Sequence, residues 1–330
     1  MPKQVLITAV GGPETLEIKD VATRAPGEGE VKLKVDAVGL NRAELMYMGG
    51  HYFEQPKLPS RIGYEAAGVV EAVGPSVDKT WIGKRVATVP GYSMNTNGVL
   101  GEEAVVPVSM LGEFPDKLSA AEGSAIWMQY LTAYGALILH GKVTKGDFVI
   151  ISAASSSVGL AAIQIVKAEG GISIATTRRS EKSAALLAEG ADYVIATEED
   201  DLVARVKEIT GGKLARIVFD PVAGKFVETL ANATAPGGTI FEYGVLSMEP
   251  TPFPVMAAMG KGLKVQGYTL HEVTAQPEVL KTAKQYVVDR LNDGRFHPKI
   301  AKTFPLAQSV EAYQYLASNQ QVGKVVITVP

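Results

Sequence analysis

The 330 residues carry 32 Lys and Arg against 35 Asp and Glu, a formal charge of -3, with 46% hydrophobic and 20% charged side chains and no cysteine. That length suits two domains, and the charge balance offers no basic footprint for nucleic acid and no polybasic run for an anionic membrane. The missing cysteine excludes disulfides, thiolate nucleophiles and sulfur-ligated zinc, which leaves small-molecule chemistry as the leading expectation.

Met1-Pro2-Lys3-Gln4 runs directly into the strand-like Val5-Leu6-Ile7 without a signal-peptide pattern, which predicts a cytoplasmic protein. To about residue 122, short β patterns alternate with turn signals. Val31-Lys32-Leu33-Lys34-Val35 alternates strictly, and 68–74 and 85–89 read as further strands. A helix-compatible stretch with Trp127 and Tyr130 follows.

From Asp147 to about Leu270, strand and helix patterns alternate. Strands are predicted at 148–152, 172–177, 193–196, 217–220, 239–243 and 265–269, and helices at 160–168, 180–188, 201–209 and 225–233. Near-continuous apolar strands suit a parallel sheet covered on both faces, so this is an α/β chain with a doubly wound Rossmann sheet. Residues 148–166 are uncharged and nearly long enough to span a bilayer. Ser152 and Ser155-Ser156-Ser157 interrupt them, however, so strand, turn and buried helix is the reading. The C-terminal part reads as a helix at 278–291, a turn at Asn292-Asp293-Gly294, a helix at 306–317 and a strand at 324–329 that returns to the first domain. The expected domains are 1–122 with 271–330, and 123–270.

The turn after the first Rossmann strand is Ala153-Ala154-Ser155-Ser156-Ser157-Val158-Gly159. Small residues at three spaced positions, here Ala154, Ser156 and Gly159, let backbone approach a pyrophosphate and let helix pack on strand. The helix N-terminus that follows favours phosphate, with Ser155, Ser156, Ser157 and Val158 at hand. About twenty residues further on, an NAD enzyme places an acidic side chain on the ribose. This chain has Thr177-Arg178-Arg179-Ser180-Glu181-Lys182, where Arg178, Arg179 and Lys182 suit a 2'-phosphate. NADPH is therefore favoured over NADH. The serine run lacks the flanking glycines of a nucleophile elbow, which removes a serine hydrolase.

Several separated stretches resemble the medium-chain dehydrogenase/reductase superfamily, most closely its zinc-independent quinone oxidoreductase branch. They are Gly11-Gly12-Pro13-Glu14, Val38-Gly39-Leu40-Asn41-Arg42-Ala43-Glu44, Gly63-Tyr64-Glu65-Ala66-Ala67-Gly68-Val69-Val70, Leu131-Thr132-Ala133-Tyr134 and Val158-Gly159-Leu160-Ala161-Ala162. The resemblance implies a GroES-like β-rich catalytic domain built from both ends of the chain, a central cofactor domain, an active site in the cleft between them, and a homodimer. The positions that hold zinc in metal-dependent members fall at Asn41, Tyr64 and near Met128, so no metal is expected. By the same resemblance Asn41 lies near the nicotinamide or substrate carbonyl, Tyr47 and Tyr52 line the substrate cleft, and either Tyr52 or Tyr64 donates a proton. Thr132, Val222, Tyr243, Gly244, Leu246 and Lys324 are carried over as cofactor contacts. Thr197 stands where members often place a tyrosine against the adenine phosphate.

Without a Lewis acid the acceptor must be activated by conjugation, so a quinone, enone or similar carbonyl compound is the expected substrate. The alternatives are an enoyl-thioester reductase and a non-catalytic NADPH-binding protein of the same fold.

Overall fold

Alternation of buried and exposed side chains along Glu30–Gly39 makes one long strand the spine of the first unit. The computed structural model describes residues 1–330, with sixteen strands in chain order. The first eight are β1 (Lys3–Ile7), β2 (Leu16–Asp20), β3 (Glu30–Gly39), β4 (Ser60–Arg61), β5 (Glu65–Val73), β6 (Arg85–Thr88), β7 (Glu103–Pro107) and β8 (Leu111–Gly112). The next six are β9 (Phe148–Ile151), β10 (Ile172–Thr177), β11 (Tyr193–Ala196), β12 (Ala215–Asp220), β13 (Thr234–Glu242) and β14 (Lys264–Gly267). The last two are β15 (Ile300–Pro305) and β16 (Lys324–Thr328).

One unit comprises Met1–Met128, Lys284–Asn292 and Pro298–Pro330. Its larger sheet runs β15-β16-β3-β5-β6-β8, and β7 also pairs with β3. β3 shares one edge between two partners, Glu30 to Lys34 with β7 and Ala37 to Gly39 with β16, while β5 lines the other edge. The C-terminal strand thus returns to the first part of the chain, as its Val/Ile alternation predicted. Val31, Leu33, Val35 and Val38 bury into a core with Val70, Val86, Val325 and Ile327. At Gly68 an added Cβ would lie 2.0 Å from the Lys34 carbonyl oxygen, so close β3–β5 contact requires the glycine.

The second unit comprises Gln129–Ala283 and Asp293–His297. Its six strands are parallel in the order β11-β10-β9-β12-β13-β14, the doubly wound arrangement expected from the sequence. The chain winds outward from β9 in one direction and then restarts at β12, so a crevice opens beyond the C-terminal ends of β9 and β12. Residues 148–166 form β9, a turn and most of the helix Ser157–Ala168. No helix is long and apolar enough to cross a membrane.

The unit borders differ from those drawn at 122 and 270. Trp127 stays with the β-rich unit because its indole lies against Gly112, where a Cβ would approach to 2.2 Å. Residues 271–283 group with the parallel sheet, where Val273, Leu280 and Ala283 are buried. β13 starts at Thr234, not 239, because pairing with β12 continues across an irregularity that spans Pro236-Gly237-Gly238. The helix Val255–Lys261 and strand β15 were not expected.

Candidate active site

In the parallel-sheet unit the turn from β9 to its helix is built around backbone closeness. Ala153 adopts a left-handed conformation (φ 46°) and Ala154 N donates to the Thr176 carbonyl. Ser156 is the helix N-cap, its Oγ accepting from Gly159 N at 3.0 Å. A Cβ on Gly159 would stand 2.6 Å from the Ala154 Cα and carbonyl oxygen, so this third small position tolerates glycine alone. Ser155, Ser156, Ser157 and Val158 are all half-buried, and Lys182 reaches the turn, donating from Nζ to Ser155 Oγ at 3.1 Å. A capped N-terminus of a 12-residue helix, small side chains and a cation together fit a diphosphate.

At the end of β10, Thr177 is half-buried and its carbonyl accepts from Thr197 N at 2.8 Å and Thr197 Oγ1 at 3.3 Å. Arg178 and Arg179 are exposed, but they behave differently. Arg179 Nε turns to Glu198 Oε2 at 2.9 Å. Its charge is therefore engaged by an exposed carboxylate, unlike that of Arg178. Arg178 forms no ion pair, and burial together with the Arg178 charge pulls the Lys182 pKa below the ordinary lysine range. Two cations that repel one another beside the diphosphate turn are a built setting for a dianion.

Across the crevice, β12 ends at Asp220 and β13 at Glu242, which are register partners on adjacent parallel strands. Their carboxyls consequently crowd one face of the sheet. Burial, then Asp220, pushes the Glu242 pKa up to about 9, and burial likewise raises Asp220. Asp220 Oδ2 accepts from Ala223 N at 2.7 Å. Ser152 Oγ, Asp220 Oδ1, both Glu242 oxygens and the Tyr243 hydroxyl are buried without a direct hydrogen-bond partner. Tyr243 stacks on Phe219 at 3.9 Å between ring centres. The loops beyond the two strands are zipped by Leu246 N to the Pro221 carbonyl at 2.9 Å and Ser247 N to the Val222 carbonyl at 3.0 Å. Gly244 permits this, since its Cβ would lie 2.9 Å from the Pro221 oxygen. Thr132 is nearly buried on the helix Trp127–Tyr134.

The β-rich unit holds a different constellation. Asn41 caps the helix Arg42–Met48 in a reciprocal box with Glu44, whose carboxylate accepts from Asn41 N at 3.0 Å and Asn41 Nδ2 at 3.2 Å. Glu44 also accepts from Tyr64 N at 3.1 Å and the Tyr313 hydroxyl at 2.8 Å. Burial raises the Glu44 pKa, and the Asn41 and Tyr313 donors with the nearby Lys324 oppose that rise. Lys324 Nζ donates to Glu65 Oε2 at 2.6 Å and Asn41 Oδ1 at 2.7 Å, and Glu65 Oε1 accepts from Met128 N at 3.1 Å.

Two expectations are corrected here. Lys324 is wholly buried and holds Asn41 and Glu65 within the β-rich unit, so it is not a cofactor contact. Tyr47 is likewise wholly buried, its hydroxyl sharing a 2.6 Å hydrogen bond with Ser60 Oγ, so it is a core residue and lines no open cleft. Asn41, 7% exposed, has its amide oxygen on Lys324 and its nitrogen on Gly39 and Glu44. As placed, it has little left for a substrate carbonyl. Tyr52 and Tyr64 do lie together, ring centres 6.2 Å apart and edge to face, with Tyr92 5.9 Å beyond Tyr64. Burial raises the pKa of both phenols, and far more so for Tyr64, where Tyr52 adds to the effect. The Tyr64 carbonyl accepts from the Tyr92 hydroxyl and from Thr88 Oγ1.

Comparison with known proteins bears on this pair of sites. Residues 27–116 match the alcohol dehydrogenase GroES-like domain and residues 157–285 the zinc-binding dehydrogenase family. The chain is 32% identical to a quinone oxidoreductase of Pseudomonas aeruginosa over 328 residues, 99% of each protein. It belongs to the medium-chain dehydrogenase/reductase superfamily, in the quinone oxidoreductase-like branch. A 2-haloacrylate reductase of a Burkholderia species is 27% identical over 99% of each chain. The Escherichia coli quinone oxidoreductase crystallised with NADPH superposes with a TM-score of 0.90 at 27% identity, covering 99% of both chains.

Zinc, named in one matched family, does not fit this dehydrogenase/reductase. The positions that the resemblance assigns to ligands hold an amide already bonded to a lysine cation, a phenol whose pKa is driven upward, and a thioether. No group of three or more His, Asp or Glu side chains is placed to hold a metal ion. Sequence reasoning missed Glu44, Glu65 and Tyr313, and it placed Asp220 at the end of its strand without the partner Glu242. Only Glu44 carried a local signal, the Asn-x-x-Glu spacing of a capping box.

Proposed function

We propose that the protein is an NADPH-dependent reductase that delivers hydride to a conjugated carbonyl acceptor, a quinone or a short enone, without a metal. The observation that carries the reading is the Ser155–Gly159 turn with Lys182 on it and Arg178 beside it. The turn holds the diphosphate on the helix N-terminus, and Arg178 and Lys182 take the 2'-phosphate. When bound, the nicotinamide supplies the hydride.

On the acceptor side the chain contributes neutral phenols. A hydroxyl whose pKa is raised by burial stays protonated, so Tyr52 and Tyr64 act as hydrogen-bond donors that polarise a carbonyl rather than as strong acids. Solvent then completes the proton transfer. The similarity to quinone oxidoreductases and to a 2-haloacrylate reductase supports an activated, conjugated acceptor.

The test is turnover of NADPH with a quinone, a short enone and a crotonyl thioester. Turnover of the first two, with the thioester at least ~10-fold poorer in kcat/KM, is expected, a difference of ~1.4 kcal/mol in transition-state stabilisation. Preference for the thioester would make the protein an enoyl-thioester reductase, and tight NADPH binding without turnover would make it a binding protein.

A further inference from the structure

In the β-rich unit the segment after the helix Arg42–Met48 holds a phenylalanine out in water. Phe53 is 86% exposed, yet hydrogen bonds tie the backbone on both sides of it. Before it, Gly50 N donates to the Tyr47 carbonyl at 3.1 Å and His51 N to the Met46 carbonyl at 2.8 Å. After it, the Glu54 carboxylate accepts from Met94 N at 3.2 Å, from Asn95 Nδ2 at 2.9 Å and from the Ser93 hydroxyl. Lys57 N donates to Asn95 Oδ1 at 2.7 Å. The ring therefore stands in water on an ordered segment.

It is also the outer end of a series. Phe53 packs on Tyr52 with ring centres 5.3 Å apart, Tyr52 on Tyr64 at 6.2 Å and Tyr64 on Tyr92 at 5.9 Å. Each spacing lies in the range of favourable ring pairs, so aromatic surface is continuous from solvent to the buried Tyr64. Val10, 54% exposed, flanks the same segment, for a Cβ on Gly50 would stand 3.2 Å from Val10 Cγ1. Gly11 N, donating to the Met48 carbonyl at 2.9 Å, draws the Val10 loop in. An ordered segment that keeps apolar side chains in water is the form a ligand contact takes before its ligand arrives.

We propose that Phe53 is a specificity-determining residue, the platform for an aromatic ring carried by the conjugated carbonyl acceptor. The inference rests on the reading that Tyr52 and Tyr64 polarise that carbonyl. An aryl enone reaches the phenols with its oxygen while its ring lies on Phe53, whereas a short alkyl enone ends before the platform. Phe53 offers neither proton nor charge, so its effect falls on KM and not on the chemical step.

The test is NADPH-driven turnover of two enones with the same reacting group, benzylideneacetone and ethylideneacetone, by the full chain. Phe53→Ala should lower the kcat/KM ratio of aryl over alkyl enone ~3- to 10-fold through KM, and Phe53→Trp should restore it. Calorimetry with benzylacetone, a saturated analogue that is not reduced as an enone, needs no turnover. Its Kd on the NADPH-saturated protein should rise by a similar factor in Phe53→Ala. An unchanged ratio in Phe53→Ala, or equal losses for both enones, overturns the inference and leaves the reductase reading standing. If wild type turns over neither enone, the reductase reading falls instead and the benzylacetone Kd decides. A rise in Phe53→Ala then supports the aromatic platform, and equal affinity, or no binding to wild type, overturns it.

Discussion

The two buried constellations of charge differ in kind. In the β-rich unit, Glu44, Asn41, Lys324 and Glu65 alternate carboxylate, amide and ammonium, and the lysine bridges Asn41 to Glu65. In the parallel sheet, Asp220 and Glu242 are like groups side by side, surrounded by oxygens that have no direct partner. A satisfied network fixes the backbone that carries it, whereas open hydrogen-bonding capacity at the mouth of a doubly wound sheet marks where a ligand or water must enter. The contrast separates scaffold from binding surface, and it moves Lys324 and Asn41 to the scaffold side.

Four experiments break or sharpen that division. The largest effect is expected from Lys324→Met, which leaves Glu65 buried without its cation. Urea unfolding should show a loss of ~3–5 kcal/mol, much of it recovered by the double variant Glu65→Met/Lys324→Met. A loss below ~1 kcal/mol would remove the lysine from the scaffold. Next is Gly159→Ala, whose methyl group collides with Ala154. It should cost about 1–3 kcal/mol as overpacking and weaken NADPH more than it changes the melting of the β-rich unit, read by titration and calorimetry.

Glu242→Gln probes the opposite constellation. The raised Glu242 pKa means that its contribution is fully present below about pH 4.5 and is lost as pH rises toward about 9. Wild-type stability should therefore decline across that window. Glu242→Gln should flatten the decline and gain ~1 kcal/mol or more at pH 8, since the amide needs no proton held in the fold above the ordinary carboxyl range. A parallel decline in both proteins would place the titrating group elsewhere. The smallest effect belongs to Arg179→Ala, which removes an exposed ion pair with Glu198. Stability should not change measurably in urea unfolding, and NADPH affinity should stay put.

How much of this was legible depended on whether the signal was local. Strands 172–177 and 193–196 coincide with β10 and β11 because short runs dominated by apolar or β-branched residues need no tertiary help to be recognised. The small-residue turn and the helix start after β9 were readable because their signal is likewise local. β13 was shortened because Pro236-Gly237-Gly238 spells a turn, and only pairing with β12 keeps that stretch in the sheet. Lys324 reads as an exposed lysine at a strand start, and the carboxylate that buries it lies 259 residues away. Asp220 and Glu242 meet only because parallel register brings two strand ends together. Arg178 and Arg179 look equivalent in sequence, and Glu198, reached through the next strand, makes them unequal.

The central claim is that the turn after β9, with the cations after β10, selects a 2'-phosphorylated nucleotide. Calorimetric titration of wild type and Arg178→Ala/Lys182→Ala with NADPH and with NADH tests it most directly. The double variant should bind NADPH ~10- to 100-fold more weakly, ~1.4–2.8 kcal/mol, with NADH affinity nearly unchanged. Equal losses for both nucleotides, or no binding of either to the wild type, would contradict the account.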